Sequence, residues 1–94
     1  MAPESAQDPN AQRLGRNLQR LRTARGLTQG EVAHRAGVAR AHYAALEAGS
    51  SSNGGVANPR LSTLLSLASA LESPMIELLS GLPAGEAAPD QAGP

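Results

Sequence analysis

Cysteine and lysine are both absent from the 94 residues, and one ring, Tyr43, is the whole aromatic content. Without cysteine there is no disulfide scaffold, no zinc–thiolate site and no cysteine nucleophile. Without Phe or Trp the interior has to be built from Leu, Val, Ile and Ala, which suits helices better than a β-sandwich. No run approaches the roughly 18–20 apolar residues of a membrane span. The first residues, Met1-Ala2-Pro3-Glu4-Ser5, lack the basic-then-apolar layout of a secretory signal. A soluble, cytoplasmic chain is therefore expected. His34 and His42 have no acidic pair beside them, so no metal, cofactor or catalytic constellation is expected, and an enzyme is the poorest option. Eight arginines balance eight acids, which at face value speaks against nucleic acid as a partner.

At this length there is room for one small domain with short tails. Residues 1–9 and 83–94 are rich in Pro, Ala and acids without apolar periodicity, and read as disordered tails, the second of them acidic. Residues 10–82 carry helical periodicity. Leu14, Leu18 and Leu21 form one stripe of a helix over about residues 10–25, with Arg13, Arg16 and Arg20 on another face. Thr28-Gln29-Gly30-Glu31 has the pattern of a capping box opening a second, short helix whose Val32, Ala33 and Ala36 face inward. Gly37 supplies a tight turn, and a third helix over about residues 40–48 points Tyr43 and Leu46 inward. A Ser/Gly-rich loop over residues 50–58 follows. Leu61, Leu64, Leu65, Ala68 and Leu71 then give a strong amphipathic stripe. Ser73-Pro74 reads as a cap followed by a first-turn proline for a last helix over about residues 74–80. The expected fold is all-α, a compact bundle of five helices.

Two short helices joined by a glycine turn form a helix-turn-helix, but periodicity alone does not separate this from any small bundle. The ordered set Leu27-Thr28-Gln29-Gly30-Glu31-Val32-Ala33-His34-Arg35-Ala36-Gly37-Val38, then Tyr43-Ala44-Ala45-Leu46-Glu47-Ala48-Gly49, is more specific. With Arg22 before it, and Asn58-Pro59, Leu61, Thr63-Leu64-Leu65, Ala68 and Leu71 after it, the set closely resembles the lambda-repressor-like (Xre-type) helix-turn-helix family. The likeness covers about residues 13–80. Three departures stand out: a longer loop between Gly49 and Pro59, Ala39 where a Ser or Thr cap is usual, and Tyr43 in place of an aliphatic anchor.

The resemblance implies a sequence-specific regulator binding double-stranded DNA through its third helix as a homodimer, more simply a repressor than an activator. It places Gln29 against phosphate, unless Gln29 merely suits the first turn of its helix, and puts Arg40 and Ala41 at base edges. Arg40 either grips a guanine edge or, as a solvated arginine, touches phosphate alone. His42 is a phosphate contact or merely solvated, and Ala44 and Ala45 offer only apolar contact or close approach. Arg60 enters the minor groove or stands in water; Arg16 and Asn17 are further candidates. Glu47 matches the family's glutamate that pairs with an arginine of the first helix, here Arg22. Tyr43 is read as core, its hydroxyl reaching solvent or phosphate. Ile76, Leu78, Leu79 and Leu82 offer a dimer interface, which implies a pseudo-palindromic operator. An alternative from another class is an antitoxin-type module that binds a toxin partner and autoregulates its operon. The neutral total is no obstacle to DNA: residues 12–82 hold all eight arginines and four acids, a surplus of four, while the other four acids lie towards the two ends.

Overall fold

The computed structural model describes residues 8–50 and 57–82, so residues 1–7 of the expected tail at 1–9, the whole expected tail at 83–94 and most of the Ser/Gly loop lie outside the described residues. Among the described residues five helices follow in order: α1 (Pro9–Ala24), α2 (Gln29–Ala36), α3 (Arg40–Glu47), α4 (Leu61–Ala70) and α5 (Met75–Leu78). Packing joins α1 to α3 and α5, α2 to α3 and α4, and α4 to α5. The centre is made by Leu18, Val32, Leu67, Leu71 and Leu78 around Tyr43.

Helix α1 begins two residues earlier than about residue 10 with its cap included. Asp8 accepts hydrogen bonds from the Asn10 and Ala11 amides, and Pro9 occupies the first turn. An acid before a proline at a helix start is a recognisable signal, masked here by a tail-like composition. Helix α2 carries the full capping box: Thr28 Oγ1 accepts from the Glu31 amide at 3.0 Å, and the Glu31 carboxylate accepts from the Thr28 amide at 2.8 Å. These bonds hold the Glu31 carboxyl below the usual carboxylate range. Gly37 closes α2 at φ 73°, where the Val38 amide donates to the Ala33 carbonyl.

Three expectations change in the second half of the chain. Leu61 and Leu65 are not core residues but stand 66% and 52% exposed; α4 buries Leu67, Ala68, Ala70 and Leu71, with Leu64 at the edge. A leucine-rich helix has more than one apolar edge, and the position of α2 and α5 selects the one that is covered. Ser73 does not cap α5. Its hydroxyl donates to the Leu71 carbonyl, Pro74 takes the cap position, and α5 is only one turn long. Leu78 is wholly buried in the core, which removes it from any surface for a second chain. One loop is braced by charge: Glu72 sits at φ 52°, sparsely populated for a side-chain-bearing residue. Arg25 donates to its carboxylate at 3.2 Å and to its carbonyl at 2.7 Å, tying the end of α1 to the α4–α5 turn.

Candidate nucleic-acid interface

Helix α3 presents one face inward and one outward. Tyr43 and Leu46 are buried, whereas Arg40, Ala41 and His42 are exposed and Ala44 and Ala45 half-buried. At 100° per residue the middle of the outward face falls near Ala41, with Arg40 and Ala44 on one side and His42 and Ala45 on the other. This surface has no acid. The one carboxylate of α3, Glu47, is turned inward, its side chain only 6% exposed.

Glu47 is where α1, α2 and α3 are tied together. Arg22 of α1 donates Nε to Glu47 Oε2 at 2.6 Å and Nη2 to Oε1 at 3.1 Å, and its remaining arm donates to the Leu27 carbonyl at 2.9 Å. Gln29, the first residue of α2, donates Nε2 to Glu47 Oε1 at 2.9 Å. Burial opposes the charge on Glu47, yet the hydrogen bonds and positive charge around it, Arg22 foremost, win and hold its pKa below the ordinary carboxylate range. A fork-on-carboxylate pair has a defined plane, so this contact holds the end of α3 against α1 and the start of α2. Tyr43 lies within the electrostatic reach of the same pair, and burial pushes its pKa far up. Its hydroxyl is sealed inside beside Glu47 and Arg22, without a hydrogen bond of good geometry among the described residues; it does not reach solvent or phosphate, because the aliphatic core closes over the whole ring.

Two glycines matter here: Gly15 lies outside any motif, and Gly30 lies within the capping box without a role in its hydrogen bonds. A Cβ on Gly15 would stand 2.8 Å from the Glu47 carbonyl carbon and 2.8 Å from the Leu46 carbonyl oxygen, so α3 meets the backbone of α1 directly. A Cβ on Gly30 would lie 3.6 Å from Arg40 Cδ and 3.7 Å from Nε, so the Arg40 stem crosses the first turn of α2. A glycine inside a helix is the available signal for such close approaches, but not for what approaches. The capping box takes up the Thr28 and Glu31 amides and leaves those of Gln29 and Gly30 without an acceptor in the helix, and a helix start favours anions. The start of α3 is left likewise, since Ala39 provides no side-chain cap.

The other sequence-derived candidates are dispersed. Arg60 is exposed at the N-cap of α4. Asn17 is drawn inside, 4% exposed, with Nδ2 donating to the Leu78 and Ser80 carbonyls at 2.8 Å each. It therefore holds the end of α5 and is not a surface contact for DNA, because those carbonyls need a buried donor. Arg16 is exposed, but on the side of α1 that borders α5. Ile76 and Leu79 are 74% and 38% exposed, and Leu82 is half-buried. Among the described residues no cluster of His, Cys, Asp or Glu has the makings of a metal site, and no helix is long and apolar enough to cross a membrane.

The two short helices, the glycine turn and the outward cationic edge of the second define a helix-turn-helix protein. A family model described as helix-turn-helix matches residues 18–78, and the chain belongs to this Xre-type, lambda-repressor-like family of DNA-binding transcriptional regulators, which is not a family of enzymes. Among solved structures it is similar to the restriction-modification controller protein C.AhdI from Aeromonas hydrophila. The two are 34% identical, with a TM-score of 0.62, over 72% of this chain and 94% of that one. No curated protein matches significantly.

Proposed function

We propose that this chain is a controller-type repressor that acts inside the cell as a homodimer, seating α3 in the major groove of a pseudo-palindromic duplex operator. The observation that carries the reading is the arrangement of α3. Its outward face is acid-free and edged by Arg40, beside the Gln29 and Gly30 amides that the capping box leaves open, while its only acid is turned inward onto Arg22 and Gln29. The likeness to a controller protein supports the class of regulation.

In this reading the start of α2 rests on a phosphate through its free amides, assisted by the second Nε2 hydrogen of Gln29. Arg40, its stem braced across Gly30, reaches a guanine edge, a contact worth about 1–3 kcal/mol of discrimination. Ala41, Ala44 and Ala45 meet thymine methyls or allow close approach, His42 touches the backbone, and Arg60 lies at the adjoining minor groove. A face so poor in polar groups leaves part of the specificity to DNA shape and deformability. Ile76, Leu79 and Leu82 supply the contact between copies, with the exposed Leu61 and Leu65 as further apolar surface. A domain this small gains stability from such burial.

The test is selection of bound genomic fragments, followed by salt titration and footprinting on the best site. Arg40→Ala and Gln29→Ala should weaken binding, and half-sites should lie about one helical turn apart. Unchanged affinity, footprint and salt slope in both variants would overturn the docking. A monomer at operator-saturating concentrations would overturn the dimer.

A further inference from the structure

On the side of α1 away from α3 lies an open groove of about 770 Å³, lined by Arg13, Arg16, Asn17, Arg20, Glu77 and Ser80 among others. Its three arginines and one glutamate leave a surplus of two positive charges. Arg13 is partly engaged, donating Nε to the Ser80 carbonyl at 3.3 Å. Arg16 and Arg20 are exposed and have no ion-pair partner among the described residues. Taking Gly15, which meets α3, as the reference direction, 100° per residue turns Arg16, Arg20 and Arg13 about 100°, 140° and 160° away from it. The groove therefore faces away from the α1–α3 contact, and duplex DNA on the outer face of α3 is not its natural occupant.

We propose that residues 83–94 of this same chain occupy the groove, with the carboxylates of Glu86 and Asp90 on the guanidinium groups of Arg16 and Arg20. Three observations point to this occupant. The segment leaves from the groove itself, because Ser80 lines it and Gly81 abuts the Arg13 guanidinium. The charges match, since residues 83–94 carry two acids and no base against the groove's surplus of two. The lengths match as well. Arg13 and Arg20 are about 10 Å apart along the helix, whereas Glu86 and Asp90 reach up to about 14 Å and 28 Å from Leu82 when extended. Docked there, the segment screens a cationic face that would otherwise attract any phosphate backbone. The inference goes beyond the regulator reading and does not depend on it.

The chain has no cysteine, so Gln91→Cys in the full-length protein takes a single nitroxide label. Expected at low salt is loss of the Arg16, Gln19 and Arg20 amide signals, with recovery near 1 M salt, where screening acts over about 3 Å. The Glu86→Gln/Asp90→Asn variant and the Arg16→Gln/Arg20→Gln variant should each restore the signals at low salt. Intact signals at low salt, or losses that persist in both charge variants, would overturn the proposal. So would losses that occur only between a labelled and a separately isotope-enriched copy, which would assign the contact to a neighbouring molecule. If label and α1 stay apart while Arg16→Gln/Arg20→Gln flattens the salt slope of DNA binding by about 0.9 per arginine, the groove holds DNA backbone instead.

Discussion

Truncating Glu47 should come close to unfolding the domain. In Glu47→Ala the Arg22 guanidinium, 14% exposed and hydrogen-bonded by all three nitrogens, keeps only the Leu27 carbonyl, and Gln29 loses its acceptor as well. Removing one half of a buried ion pair costs about 3–5 kcal/mol. A small domain has total stability near the lower end of about 5–15 kcal/mol, so most of it is lost. Urea unfolding followed by circular dichroism reads the change as a lower midpoint at constant slope, and melting should fall by about 4–8 °C for each kcal/mol. Removing both partners, in Arg22→Met/Glu47→Leu, leaves no orphaned charge and should recover much of the loss, because an ion pair replaced by apolar groups is often neutral or better. Acid tests the same contact. The folded pKa of Glu47 lies below its ordinary value of 4.5, so its contribution is complete above that value and disappears as pH falls through the folded one. A single variant within about 0.5 kcal/mol of the parent, or a double variant as unstable as the single, would refute the reasoning.

Gly15→Ala should cost at least about 1–3 kcal/mol, the scale of overpacking, because its Cβ would meet the backbone of α3 and nothing there is free to rotate away; thermal melts check this. Tyr43→Phe should be neutral or stabilising in the same melts, since it removes a buried hydroxyl with no hydrogen-bond partner among the described residues, whose desolvation costs about 1–3 kcal/mol. Ala39→Ser should raise stability by about 0.5–2 kcal/mol by giving α3 the side-chain cap it lacks; no gain would mean the α3 amides already have acceptors.

Local chemistry made much of the architecture legible in advance. The capping box at Thr28, the glycine turn at Gly37 and the Leu14, Leu18, Leu21 stripe each follow from contacts within one or two turns of chain. The ordered motif from Leu27 to Gly49 likewise points to the helix-turn-helix, and to Arg40 and His42 on an exposed edge. Where a residue has two uses, sequence reasoning had no basis for choosing. Asn17 is as polar at a surface as inside, and only the arrival of α5 with two carbonyls makes it an internal donor. Leu78 and Leu79 are identical in type, yet the docking of one turn of helix buries the first and exposes the second.

The zero net charge shows the same division. Composition by itself determined that eight arginines meet eight acids, and position along the chain showed that the acids thin out where the arginines gather. Only the tertiary structure decided which charges remain available: Arg22 is consumed by Glu47, Arg25 by Glu72 and Arg13 in part by Ser80, while Arg40 stays on the face of α3. Helix periodicity is a property of neighbours three and four apart, and a sequence contains it completely. The partner of a side chain across the bundle is set by how the helices pack, and that is written in no single stretch of the chain.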